Sequence, residues 1–337
     1  MNLLKLIYAL CIFYLPITQS SRLTINGNKM LLDNTLLNKD TPAEGLLINS
    51  RMVQGISDGF SKWPYPDTKK WDANRNVAEF ISNMEKWKNS GLNGFTIGMQ
   101  GGGPTSQTSG QTQKNSAFDA VGNLKTDYLN RLNLVMKESN RLDMVVILSL
   151  FYRSQVGIFK SYDNVLTATT NTLHWLQNNN FTNVIIEPTN ECEFSEFNKV
   201  GLGCDQHISD LIDLAQIYKY PAGNSYKGSG HVPSDKIIEH SQVIFLHGNS
   251  MTTESSYKKQ LDSVKKSKYY KGQPIVYNEA GTKLFLKWSI INGVGWGYYD
   301  QGKNNYKDGY QSPPVNWGIN TKTKKAFFAE IKNILKS

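Results

Sequence analysis

From about residue 46 to the C-terminus, short apolar runs alternate with amphipathic stretches. That alternation predicts βα units around a parallel sheet. Eight runs read as strands: Met52–Gly55, Gly94–Gly98, Val145–Leu150, Val184–Glu187, a weak fifth over Tyr220–Ser225, Val243–Leu246, Pro274–Tyr277 and Gly295–Tyr299. The third is apolar at nearly every position, as a strand covered on both faces must be. Between the runs, Val77, Phe80, Ile81, Met84 and Trp87 fall at helical spacing, and Gly91 ends that helix. The pattern recurs at Ile208, Leu211, Ile212 and Ala215, at Tyr257, Leu261 and Val264 behind a cap at Thr253, and at Phe327, Ile331 and Ile334. The expected fold class is α/β, a closed (β/α)8 TIM barrel with a small N-terminal β-hairpin. An open doubly wound sheet is the rival. It would carry a glycine-rich phosphate turn after its first strand, whereas GISDGFSKWPYPD contains no G-x-G-x-x-G.

The hairpin is read from LTINGNKMLLDNT, where apolar stretches flank Asn26-Gly27, a strong two-residue turn signal. A barrel needs roughly 250 residues, so a chain of 337 leaves room for that extension. The expected organisation is a signal peptide over 1–20, a hairpin extension over 21–45 and a barrel domain over 46–337. The leader reading rests on MNLLKLIYALCIFYLPITQSS: one early lysine, an apolar run, then small polar residues. An uncleaved anchor is the rival reading, but the run is short for a bilayer span. No later run is apolar enough to span a membrane, so no stable membrane insertion is expected.

Cysteine usage points the same way. Cys11 falls in the leader, and Cys192 and Cys204 remain as a pair close in sequence. In an oxidising compartment they would close a short loop; two free thiols are the alternative. Asn180-Phe181-Thr182 is the single glycosylation triplet. A secreted, extracellular location follows as the expectation. Net charge is +9. Most of it reads as solvated surface, and its functional reading is attraction to an acidic polysaccharide. Neither zinc-finger spacing nor a compact basic-aromatic module argues for nucleic acid.

In a barrel, chemistry sits at the carboxyl ends of the strands. The fourth strand runs into Pro188-Thr189-Asn190-Glu191 and the seventh into Asn278-Glu279-Ala280-Gly281. Two carboxylates at strand ends across the ring suit glycoside hydrolysis, in which one protonates the leaving oxygen and the other attacks the anomeric carbon. A single such Glu would more simply be a solvated loop residue; the pair argues otherwise. Glu187, inside the fourth run, reads as a buried structural carboxylate in need of a partner. Gly55-Ile56-Ser57-Asp58-Gly59 fits G-x-S-x-G, but two prolines follow where a nucleophile elbow needs a helix. The five histidines are scattered and form no H-E-x-x-H, so neither a catalytic metal nor a cofactor is expected.

VIIEPTNE and PIVYNEAG resemble the strand-four and strand-seven motifs of the clan A, cellulase-like glycoside hydrolases. The likeness runs from about residue 46 to the C-terminus. It implies that Glu191 is the acid/base, Glu279 the nucleophile, and Asn190 a ligand of the substrate 2-hydroxyl. It further implies His247, in FLHGN, as a partner of the nucleophile and Trp296, in GWGYYD, as the floor of the sugar site; plain barrel packing is the equal alternative for Trp296. The arginine and histidine that many cellulases carry on strands two and three have no match here. Asp58 and the aromatic cluster of Trp63, Tyr65 and Trp71 on the first loop complete the candidate substrate contacts. The expectation is a retaining glycosidase with a carbohydrate substrate. A catalytically inactive glycan-binding protein on the same fold is the alternative, and oligomeric state is not legible.

Overall fold

The computed structural model describes residues 21–59, 63–102, 115–281 and 283–336. The expected leader over 1–20 with Cys11, and the polar stretch that follows Gly102, lie outside them. Near the start of the described chain, β1 (Leu23–Asn26) and β2 (Lys29–Leu32) pair antiparallel around a Gly27-Asn28 turn, one residue on from the expected Asn26-Gly27, and β3 (Thr35–Leu36) adds a short third strand. Gly27 has φ +58, which the turn demands and glycine meets without steric cost.

Five parallel strands follow in the order β10 (Trp296–Tyr298), β4 (Ile48–Arg51), β5 (Gly94–Gly98), β6 (Val145–Phe151) and β7 (Val184–Thr189). A second parallel pair is β8 (Ile244–His247) with β9 (Ile275–Glu279). Single bridges join the two groups. Ala222 pairs with Ile186 on one side and accepts from Val243 on the other, while Gly295 pairs with Val276. The hydrogen bonds thus run round a complete ring, and the fold is a (β/α)8 barrel. Residues 221–225 are its fifth stave, joined by bridges where the sequence showed only a weak strand.

One helix follows each stave: α1 (Ala73–Lys88), α2 (Thr126–Arg141), α3 (Tyr162–Asn178), α5 (Ile208–Ile217), α6 (Asp235–His240), α7 (Glu254–Lys266), α8 (Leu286–Ile291) and α9 (Lys322–Lys336). A short α4 (Ser195–Asn198) lies in the loop after β7. Asp72 caps α1 by accepting from the backbone N–H of Asn74 and Arg75, and Thr253 caps α7 through Ser256. The apolar helical stripes bury against the outer faces of the staves in one continuous core.

A second, smaller core fills the barrel's lower interior. Leu47, Val145, Ile147, Ile185, Val243, Phe245 and Val276 meet there, and Leu23, Met30 and Leu32 of the hairpin plug it from below. Above this layer the inward-facing residues turn polar, with Asn49, Arg51, Glu187 and Asn278 all buried. The first stave differs from expectation. It is Ile48–Arg51, and Met52–Gly55 is the turn beyond it. Three of its four residues are polar because its upper half lines the functional end, where hydrophobic patterning gives way to chemistry.

Candidate active site

Glu191 and Glu279 come together at the carboxyl end of the barrel. Glu279 is the last residue of β9, and Glu191 lies two beyond the end of β7. Glu191 has φ +61, a left-handed conformation uncommon for a side-chain-bearing residue. The turn is held from the fifth stave. Asn224 Oδ1 accepts from the Thr189 backbone N–H and hydroxyl (2.8 and 3.0 Å), and Ser225 Oγ accepts from the Glu191 N–H at 3.2 Å. The adjacent Cys192–Cys204 disulfide closes the following loop.

His247, fully buried at the end of β8, sits between the two carboxylates. Its Nδ1 lies 2.9 Å from Glu191 Oε1 and 3.3 Å from Glu279 Oε2. The oxygens of Glu191 and Glu279 and that nitrogen all fall within 4.8 Å of one another. Glu279 also accepts from Asn249 Nδ2 at 3.1 Å, from Arg51 Nε at 3.1 Å and from the Tyr299 hydroxyl. Arg51 in turn donates from Nη2 to Asn190 Oδ1 at 2.7 Å. Its Nη1 lies 3.9 Å from Glu187, whose other oxygen accepts from Asn278 Nδ2 at 2.9 Å. A buried network therefore links four staves through one guanidinium. Burial opposes that charge, but Glu279 and Glu187 more than offset it and raise the Arg51 pKa.

The same competition sets the other three groups. Burial works against the His247 imidazolium, yet the charges of Glu279 and Glu191 push its pKa above the ordinary histidine value. Burial raises Glu279, and the nearby Glu191 adds to the rise while His247 and Arg51 pull against it. Burial also opposes Glu191, but the hydrogen bond and charge of His247, with Arg51 and Arg153, leave its pKa below the usual carboxylate range. Glu191, His247 and Glu279 have the donor set of a metal site. Arg51 already occupies one edge of the Glu279 carboxylate.

These groups open into a cavity of 170 Å³ lined by Arg51, Asn190, Glu191 and Glu279 together with Tyr152, Arg153, Tyr299 and Gln311, among others. Of the residues singled out in the sequence, Glu191, Glu279 and Asn190 reach its wall and His247 stands directly behind. Three do not. Trp296 is buried outside the ring, against Tyr257 and Tyr277 at 5.7 and 5.9 Å between centroids. Alternation along β10 sends Trp296 and Tyr298 outward, and the aromatic that reaches the cavity is Tyr299. Trp63 is buried edge-on to Trp71 at 5.4 Å. Asp58 is taken up by an ion pair with Arg131. The sequence reading missed Arg51, Asn249, Tyr299, Tyr152 and Arg153. The first of these stands at the end of the first stave, whereas the resemblance had pointed to an arginine on the second or third.

The sequence matches no protein-family model and no curated protein. Solved structures do match in shape. A family 5 glycoside hydrolase from Bacteroides vulgatus ATCC 8482 superposes with a TM-score of 0.57 at 10% identity, over 90% of this chain and 68% of that one. A broad-specificity endoglucanase from an uncultured bovine rumen ciliate gives 0.55 at 13% identity, covering 88% and 99%. A xyloglucan-specific endo-β-1,4-glucanase from a metagenomic library gives 0.51 at 12%, covering 87% and 98%. The chain thus has the barrel fold that these clan A glycoside hydrolases share.

Proposed function

We propose that the protein is a retaining glycoside hydrolase, with Glu279 as nucleophile and Glu191 as acid/base. The observation that carries this reading is the pair of strand-end carboxylates whose oxygens approach within 4.8 Å. Retaining enzymes hold their two carboxyl groups about 5–5.5 Å apart, whereas inverting ones leave about 6.5–9.5 Å for a water. Three donors, from Arg51, Asn249 and Tyr299, fix the orientation of Glu279 and work against the burial that raises its pKa. Asn190, itself oriented by Arg51, is left with its amide N–H2 for a sugar hydroxyl.

The acid needs a proton, and His247 is placed to supply it. A transfer from Nδ1 to Glu191 Oε1, across 2.9 Å, arms Glu191 and leaves a neutral imidazole. Glu279 then attacks the anomeric carbon as Glu191 gives its proton to the departing oxygen, and a glycosyl ester forms. Glu191, now ionised, takes a proton from water. The resulting hydroxide equivalent attacks the same carbon and releases Glu279. Two inversions preserve the anomeric configuration.

The endoglucanase neighbours support a carbohydrate substrate. The disulfide and the exposed Asn180 support action in an oxidising compartment outside the cell. No helix among the described residues is long and apolar enough to cross a membrane. Proton NMR of the first product released from a β-glucan, mannan or xylan tests the mechanism. Retained configuration is expected, and an inverted product rejects it. Binding without turnover on every glycan would mark the protein as a lectin-like relative.

A further inference from the structure

One wall of the catalytic cavity comes from the long segment between β10 and α9, which contributes Tyr299, Gln301 and Gln311. Gln311 is 3% exposed, and its neighbours on both sides fix its place. The Tyr310 N–H donates to the Asp300 carbonyl at 3.0 Å, and Ser312 Oγ donates to the Gln301 carbonyl at 2.6 Å. Gln311 Nε2 donates to the Arg51 carbonyl. A carbonyl only accepts, so this bond settles which end of the side-chain amide is nitrogen and leaves Oε1 at the other corner. No described residue donates to Oε1, and it is not one of the polar atoms sealed inside the protein, so it is open where Gln311 meets the cavity.

Arg51 places this oxygen in register with the chemistry. Its carbonyl orients Gln311, its Nε holds Glu279 and its Nη2 orients Asn190. The neighbouring groups have their acceptor or their proton engaged: Asn190 gives its Oδ1 to Arg51, and the Tyr299 hydroxyl donates to Glu279. Gln311 Oε1 is an acceptor with no proton of its own, held before any sugar arrives, so little ordering is left for binding to supply.

We propose that Gln311 is a specificity-determining residue: its Oε1 accepts from a free hydroxyl of the sugar whose anomeric carbon Glu279 attacks. This rests on the hydrolase reading above and narrows its substrate class to sugars unsubstituted at that hydroxyl. A deoxy, O-methylated or O-acylated sugar brings no proton to that point and leaves a buried acceptor unpaired, which is how a polar site rejects an analogue of nearly the right shape.

The test uses the full chain and its best substrate among aryl β-glycosides and oligosaccharides of the gluco, manno and xylo series. That substrate is compared with its monodeoxy and monofluoro analogues at each hydroxyl of the ring that is cleaved. In wild type, one position should lose about tenfold or more in kcat/KM on deoxygenation. Fluorine should not restore it, because fluorine cannot donate. In Gln311→Met the penalty at that position should fall toward one, while penalties at the other positions stay. In Gln311→Glu, which keeps an acceptor oxygen, the penalty should persist. A merely structural role would lower the rates on parent and analogues alike and leave every penalty in place. Turnover with no such position in wild type, or a penalty that survives Gln311→Met, overturns this inference and leaves the hydrolase reading intact. Absence of turnover on every member of the series, and on β-glucan, mannan and xylan, overturns both.

Discussion

Glu187 and Glu191 stand four positions apart after the same run of isoleucines, yet their surroundings make different groups of them. Glu187 faces into the barrel, fully buried, and answers Asn278 and Arg51. Glu191 leaves the strand through a left-handed turn and reaches the cavity. Glu191→Gln and Glu279→Gln should each lower kcat by about a thousandfold or more, because an amide of the same shape neither gives a proton nor attacks carbon. Their circular dichroism should match wild type. Glu187→Gln should instead lower the unfolding free energy by about 2 kcal/mol, since the buried Arg51 loses one of its countercharges; urea titration reads this. Both strand-end glutamates were legible in the sequence because each follows an apolar run. Arg51 was not, because Ile48-Asn49-Ser50-Arg51 offers a single apolar residue and does not look like a strand. Trp296 and Tyr299 lie three apart in one aromatic run, and the sequence does not show that the strand ends at Tyr298, which decides which of them faces the cavity.

Among the elements, the loop that follows β7 is the one closed by a disulfide. It carries Cys192, Phe194, α4 and Cys204, and the disulfide spans a separation of 12 residues. Closing so short a loop stabilises by about 3 kcal/mol in the chain-entropy account. Cys204→Ser should lower the melting temperature accordingly. It should also raise KM more than it lowers kcat, because Phe194, with the guanidinium of the cavity-lining Arg153 3.7 Å over its ring, shifts while Glu191 remains pinned through Asn224 and Ser225. A kcat loss as large as that of Glu191→Gln would contradict this division of labour. Helices were the more legible elements, since their stripes extend over several turns. The fifth stave was the least so: Gly223 has no room for a side chain, with the Val243 carbonyl 1.8 Å from where its Cβ would sit. Strands that pair by single bridges leave little hydrophobic pattern to read.

Over the whole molecule, the C-terminal segment binds the barrel's opening together. Gln311 Nε2 donates to the Arg51 carbonyl, Trp317 Nε1 donates to Asn76 at 3.0 Å, and Trp87 Nε1 donates to the Trp317 carbonyl at 3.0 Å. Lys324, fully buried on α9, anchors the same segment by donating to the Asn316 carbonyl at 2.7 Å and to Asn320 Oδ1 at 3.0 Å. Burial depresses its pKa to about 7, with Asp300 and Asp308 acting in the opposite sense. The unfolded chain therefore binds more protons than the native one between pH 7 and the ordinary lysine value, and this group's contribution to stability rises with pH across that window. Thermal unfolding between pH 6 and 10 should show wild type gaining on Lys324→Met as pH rises; parallel curves would contradict it.

These C-terminal ties also bear on how the chain is made. A ribosome delivers β4 and α1 early, but the partner of β4 on one side is β10, and the cover of α1 includes Trp317. Until those residues emerge, the nascent first stave carries a bare hydrogen-bonding edge and the Trp87 indole and Phe80 ring of α1 lack their lid. Such edges recruit other chains. Synthesis that stalls before Trp317 should therefore yield insoluble fragments, and productive folding should wait until the last helix has cleared the exit tunnel.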